Sequence, residues 1–325
     1  MRNFFVKYEE ISDPNYGSYP GSRSVEELIN NSVVIIDKPP GPTSHQVVTW
    51  VRNILGSKKA GHSGTLDPGV TGVLVVTLGK ACKIMPALMG LDKEYIALME
   101  LHDDVQEDLL EEVLEKFTGK IKQIPPRKSA VKRKIRVREI YEIKILEREG
   151  RRVLMDIKCQ KGTYIRKLIH DIGKKLGCGA HMRELRRIKV GPFGEDIAVR
   201  LQDLKDAYVM WKENGDTKIK EYLRPVEFGV EHLKKVIVKD SAVNALANGA
   251  PLGIGGISRI EEGITPDEMV AIFTEKGELL GLGYASMSTE EAMKKRHGLF
   301  AKIDTVMMDK DTYPKMWGQT KKKND

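Results

Sequence analysis

Residues 61–69 read Gly-His-Ser-Gly-Thr-Leu-Asp-Pro-Gly, and the apolar run Val73-Leu74-Val75-Val76 follows closely. Three glycines and a proline crowd around one carboxylate, Asp67. Glycine admits left-handed backbone angles and lets another group approach closely. The residue before a proline is biased to an extended conformation, and proline itself offers no N–H to the loop. Such a loop aims Asp67 at something. A tight Asx-type turn ahead of a strand accounts for the same residues, so both readings stay open. The run Val73 to Leu78 reads as a buried strand.

Working outward, Val33 to Ile36 is a short β-branched strand ending in the rigid stretch Asp37-Lys38-Pro39-Pro40-Gly41-Pro42. Thr43 or Ser44 caps a helix with Val47, Val48, Val51, Ile54 and Leu55 on its apolar face and Gly56 as its stop. Lys93 to Leu101 reads as a strand and Gln106 to Phe117 as an acidic helix. Tyr141 to Leu146 and Val153 to Cys159 alternate apolar and polar residues around Gly150, a hairpin pattern. Ile165, Leu168, Ile169, Ile172 and Leu176 share a helical face that ends at Gly177. Strands and helices without regular βαβ alternation predict an α+β domain around a mixed, largely antiparallel sheet. Beyond about Gly229, short strands at close spacing predict a small, separate β-barrel-like module.

The chain has 325 residues, 41 % of them hydrophobic, and a net charge of +8. That length suits about two domains, and the basic excess points to a polyanionic partner. The three cysteines form no C-x-x-C pair, so neither a disulfide framework nor a zinc site is supported. No run approaches the roughly 18 apolar residues of a membrane span. A soluble, cytoplasmic protein is expected, with Lys321-Lys322-Lys323 in a disordered tail.

From Arg127 to Arg138 the sequence is RKSAVKRKIRVR, seven basic residues in twelve. A solvated strand edge explains it, since lysines there discourage aggregation. A phosphate-tracking stripe explains it too. Side chains alternate along a strand, so Arg136 and Arg138 share one face, with Ile135 and Val137 expected to anchor the other.

A second constrained stretch is Cys159-Gln160-Lys161-Gly162-Thr163-Tyr164-Ile165-Arg166. A strand ends, a glycine turns the chain, and Thr163 stands where an N-cap belongs. Arg166 then falls in the first helical turn, where the macrodipole disfavours a cation unless an anion lies close by.

Taken together, "GHSGTLDPG", "DKEY", "CQKGTYIRKL" and "ELRRIKVGPF", with the flanks "KPPGPTSHQVV" and "IPPRKSAVKR", resemble the motifs of the TruB family of RNA pseudouridine synthases. The closer resemblance is to its archaeal and eukaryotic dyskerin-like branch, which works in box H/ACA ribonucleoproteins. It covers nearly the whole chain, and the C-terminal module resembles a PUA RNA-binding domain. The short terminal stub favours an archaeal source.

The resemblance implies a pseudouridine synthase fold over residues 33–232 and a PUA domain over 233–309. An N-terminal extension, 1–32, is expected to pack on the latter, and 310–325 form a basic tail. It implies an isomerisation of uridine that needs neither cofactor nor metal, with Asp67 as the essential carboxylate. Whether Asp67 attacks C1′ or removes a ribose proton stays open; either role needs the ionised form, which a desolvated pocket opposes. Arg166 is implied as its partner and Tyr95 as the aromatic stacked on the uracil. Tyr164 and Leu185 would line the pocket and His62 would fill the gap left when the base flips out. Lys161, Arg133, Arg136 and Arg138 are expected on the RNA-binding surface, with Gly249 to Gly256 as a candidate surface in the PUA module. His45, His170 and His181 receive no catalytic role.

Implied partners are a box H/ACA guide RNA and its target RNA, a small zinc-ribbon-type protein, a small β-barrel protein and a kink-turn-binding ribosomal-type protein. The short segment between Tyr95 and Lys161 and the N-terminal extension favour the guided branch. A standalone tRNA synthase acting on the T-loop uridine and a non-catalytic RNA-binding scaffold are the alternatives.

Overall fold

A computed structural model of the chain describes residues 2–125 and 134–316. Arg133 and Lys321 to Lys323 therefore lie outside the described residues.

Two sheets organise the fold. The larger runs, in spatial order, Arg224–Pro225, Asn31–Lys38, Thr71–Gly79, Ala180–Val190, Lys93–Leu101, Arg152–Cys159, Arg136–Glu149 and Gly119–Gln123. Its neighbours are antiparallel except where Thr71–Gly79 meets Ala180–Val190. The smaller sheet gathers Phe4–Val6 with six strands between Lys234 and Val306. The fold is thus α+β, a domain around a largely antiparallel sheet joined to a β-rich module.

The apolar runs are continuous because both of their faces are covered. Val34, Ile36, Leu74 and Val76 pack under the helices Ser44–Leu55 and Leu201–Asn214. The alternate residues Val33, Ile35, Val73 and Val75 face the other way and share a core with Ala271, Phe273, Leu279 and Leu282 of the second sheet. One pair of strands therefore builds the domain core and the junction at once.

Most of the helices and strands lie where the periodicity places them. Thr43 caps Ser44–Leu55 with a full capping box, and Gly56 ends it at φ 63°. The Lys93–Leu101 strand and the hairpin turning at Gly150 are present. Thr163 is not the N-cap of the next helix. That helix is Ile165–Leu176, its N-cap is Tyr164, and Thr163 instead donates its hydroxyl to Gln160 O at 2.7 Å. The strand Ala180–Val190 sits at the centre of the sheet although its pattern is polar, because both of its faces carry arginines with separate structural uses.

The expectation that Ile135 and Val137 anchor the basic stripe is overturned. Ile135 is 66 % and Val137 51 % exposed, whereas Arg136 and Arg138 are half-buried. Arg138 donates to Gly162 O and Val137 O, and Arg136 lies opposite Gln123 in the strand pair.

Candidate active site

The Asp67 loop is held from three directions. Lys38, fully buried at the end of its strand, donates to the carbonyls of Pro39, Pro68 and Val70 at 2.8–3.0 Å. Ser44, buried at the helix start, both accepts from Leu66 N at 2.8 Å and donates to Leu66 O at 3.0 Å. Gly41 N donates to Pro68 O. The residues on either side of Asp67 are thereby tied down, and its carboxylate is left pointing outward.

The partner it meets is Arg166, whose Nη2 lies 2.8 Å from Asp67 Oδ2. The first turn of the Ile165–Leu176 helix holds no acidic residue of its own, so Asp67 supplies the anion that a cation at this helix end requires. Side-chain exposures of 58 % for Asp67 and 64 % for Arg166 show that the pair is open to water. In the free chain, solvent covers the carboxylate.

Tyr95 lies behind this pair. It stands directly opposite Arg187 across the antiparallel ladder, and two residues along Ala97 stands opposite Leu185. The alternation of side chains puts Lys93, Tyr95, Leu185 and Arg187 on one face of the sheet. Tyr95 is 8 % exposed, and Arg187 is its cross-strand neighbour. Burial raises its pKa, opposed by Arg187, while the Asp67 charge is near enough to push it further up. Tyr164 enters from the start of the helix, its backbone N and O both bonded to the Gln123 side chain at 3.0 and 3.1 Å.

His62 sits at the loop's entry, its ring edge-on to His45 with centroids 5.1 Å apart. Burial, then the neighbouring His45 and Arg187, drive its pKa down to about 4, so the ring is neutral at physiological pH. Lys161 is exposed at the rim, with its backbone N bonded to Asp92. Arg138 reaches the same rim through Gly162 O, whereas Arg136 keeps a buried Nε with no hydrogen-bond partner among the described residues. Asp67 is thus brought to Arg166, Tyr95 and Leu185 share one sheet face with Arg187, and Arg138 meets Gly162, the residue after Lys161.

Three residues of the site escape a reading of the sequence by motif role. Lys38 and Lys93 look like ordinary surface lysines, and Arg187 is one of two adjacent arginines. The strand alternation separates that pair. Arg186 faces Asp37 and Glu195, while Arg187, 1 % exposed, donates to Val73 O at 2.8 Å and Gly64 O at 3.1 Å.

Comparison with known proteins agrees with this architecture. Residues 52–165 match the TruB family pseudouridylate synthase N-terminal domain, and 166–231 match the tRNA pseudouridylate synthase B C-terminal domain. Residues 234–307 match the PUA domain and 1–48 the DKCLD domain. The probable tRNA pseudouridine synthase B of Methanosarcina barkeri is 53 % identical over 94 % of this chain and 91 % of its own length. Its counterpart in Methanopyrus kandleri is 51 % identical over 98 % and 94 %. Among solved structures, an H/ACA RNP bound to a substrate RNA containing 2′-deoxyuridine includes a chain with TM-score 0.91 and 46 % identity, covering 98 % of both chains. A chain of a Cbf5-Nop10-Gar1 complex aligns with TM-score 0.91 and 48 % identity over 97 % of both. The chain belongs to the TruB family of pseudouridine synthases.

Proposed function

We propose that this chain is the catalytic subunit of an RNA-guided pseudouridine synthase and that Asp67 is the carboxylate that acts on the ribose. The observation that carries the reading is the Asp67–Arg166 pair, held 2.8 Å apart in the open beside the buried face of Tyr95 and Leu185. A flipped uridine laid against that face would cover the carboxylate and present C1′ to it. Arg166 then holds the carboxylate in place as water leaves, which is when a charge pair becomes strong. Breaking C1′–N1, turning the base and rejoining it through C5 conserves the composition of the uridine, the C5 proton leaving to water and N1 gaining one.

Neutral His62 suits a group that must enter a stack of bases, and Lys161 and Arg138 suit the phosphates beside it. The N-terminal segment adds its Phe4–Val6 strand to the second sheet. The guided role is supported by similarity to chains that work in an H/ACA RNP and in a Cbf5-Nop10-Gar1 complex. A zinc-ribbon-type protein, a small β-barrel protein and a kink-turn-binding protein are the partners proposed with it. The relatives named as tRNA synthases favour a second reading, guide-independent action on tRNA.

Reconstitution with one guide RNA tests both. Tritium release from 5-tritiated uridine is expected at the guide-specified position, to move when the guide is reprogrammed, and to vanish in Asp67→Asn while RNA binding persists. Product at a fixed tRNA position irrespective of the guide would replace the guided reading with the standalone one. Turnover by Asp67→Asn would remove Asp67 from the chemistry.

A further inference from the structure

Positive charge around the Asp67 loop exceeds what its carboxylates answer. Arg166 is paired with Asp67, and Lys38 is satisfied by three carbonyls. Arg187 and Lys93 differ. Both are buried, at 1 % and 9 % exposure, and among the described residues neither forms an ion pair with a carboxylate. Lys93 donates to Leu91 O, and Arg187 to the carbonyls of Val73 and Gly64. They lie on one sheet face and converge under Gly64. A Cβ built there would sit 3.6 Å from Arg187 Nη1 and 3.9 Å from Lys93 Cε. Two like charges buried side by side without an ion-paired carboxylate are costly: burial and then Arg187 lower the pKa of Lys93, and burial lowers that of Arg187. An anion that comes and goes would offset that cost.

The reaction makes one. When C1′–N1 breaks, the bonding electron pair leaves with N1 and spreads over the ring to O2 and O4, while Asp67 takes up either C1′ or a ribose proton. The detached uracil is then an anion and must persist while it turns. Bonding of C5 to C1′ consumes an electron pair of the ring and releases whatever Asp67 held. Loss of the C5 proton and gain of one at N1 restore the neutral base.

We infer that Arg187, with Lys93 beside it, supplies the fixed positive charge that stabilises the uracil ring while it is detached, acting across Tyr95, which stands opposite it in the strand pair. The inference rests on the proposed placement of the uracil against Tyr95. Arg187 is on this account a positioning residue, since it neighbours Tyr95 and does not touch the base.

The test exploits the leaving group. Fluorine at C5 makes the uracil ring more acidic, so its anion needs less help. Single-turnover rates are measured on the guide-loaded complex with target RNA carrying uridine or 5-fluorouridine, following loss of each nucleoside by chromatography. Arg187→Met is expected to slow uridine roughly 100-fold, the scale of losing one preorganised electrostatic donor, and 5-fluorouridine about 10-fold or less. Arg187→Lys, which keeps the charge, is expected to recover much of the uridine rate. Lys93→Met is expected to show the same selective loss to a smaller degree and carries the test if Arg187→Met does not fold. Equal losses on both nucleosides would overturn the inference and leave Arg187 as a tie between the Gly64 and Val73 carbonyls. Wild-type protein that converts no uridine with any guide would instead overturn the synthase reading itself.

Discussion

Asp67 Oδ2 and Arg166 Nη2 meet at 2.8 Å although both side chains are more than half exposed. An exposed pair of this kind contributes about 1 kcal/mol or less to stability. Its value must lie elsewhere, in the orientation of a carboxylate that becomes isolated only when RNA covers it. Asp67→Asn is therefore expected to change the free energy of unfolding by no more than about 1 kcal/mol while removing turnover. Urea unfolding alongside tritium release checks both halves. A destabilisation several times larger would make Asp67 part of the scaffold.

The Ser44 hydroxyl serves both backbone groups of Leu66, which is buried at 4 % exposure. Ser44→Ala leaves that N–H and C=O without their partner and should cost about 1–3 kcal/mol. Because Asp67 is the next residue, the single-turnover rate should fall as well, with RNA affinity little changed. Stability loss without rate loss would show that the loop keeps its shape by Lys38 alone.

Gly69, in the loop after Asp67, and Gly72, in the strand that follows it, offer a paired comparison. Gly72 has φ 99°, and a Cβ there would lie 2.2 Å from Arg187 O, a backbone atom that cannot step aside. Nothing lies within 4 Å of a Cβ at Gly69. Gly72→Ala should destabilise by about 3 kcal/mol or more, through strain and clash together, and Gly69→Ala by about 0.5 kcal/mol or less. Thermal and urea unfolding of both variants measure the contrast.

Lys93 carries a stability cost that its removal should expose. Burial, with Arg187 next, lowers its pKa to about 8, so at pH 7 it is charged and unfavourably placed. The unfolded chain holds that proton up to the ordinary lysine range, so stability should rise as pH climbs from about 8 toward 10.5. At pH 7, Lys93→Met should gain stability on the order of 3 kcal/mol and flatten that rise, while losing turnover. A variant that is both less stable and slower would make Lys93 a packing residue.

His62 titrates in the opposite pH range. Its folded pKa of about 4 lies below the ordinary histidine value, so the unfolded chain takes up a proton first as pH falls. Stability should decline as pH drops from about 6.5 to 4, and His62→Gln should remove part of that slope. Unfolding free energies measured across this range decide it; an unchanged slope would locate the acid sensitivity elsewhere.

Much of this protein was legible before folding because the signals were local. Thr43 and Gly56 bracket a helix by capping chemistry, and the Lys93–Leu101 strand alternates burial residue by residue. The loop around Asp67 announced itself by glycine and proline density, and Arg166 by standing at the wrong end of a helix dipole. The Ala180–Val190 strand gave no such signal. Its arginines satisfy partners on two faces, so its polarity hid a central position. The basic stripe misled as well: Arg136 and Arg138 are half-buried, while Ile135 and Val137 face solvent.

The sequence by itself determined the loop that carries Asp67, the helix that carries Arg166 and the alternation that sets Tyr95 inward, since each follows from neighbours a few residues away. Tertiary structure alone decided that Lys38 and Ser44 hold the loop, and that Arg187 lies buried against Tyr95 with Lys93 beside it. Those relationships depend on which strands become neighbours in the sheet, and strand order is set by the packing of distant segments into common cores.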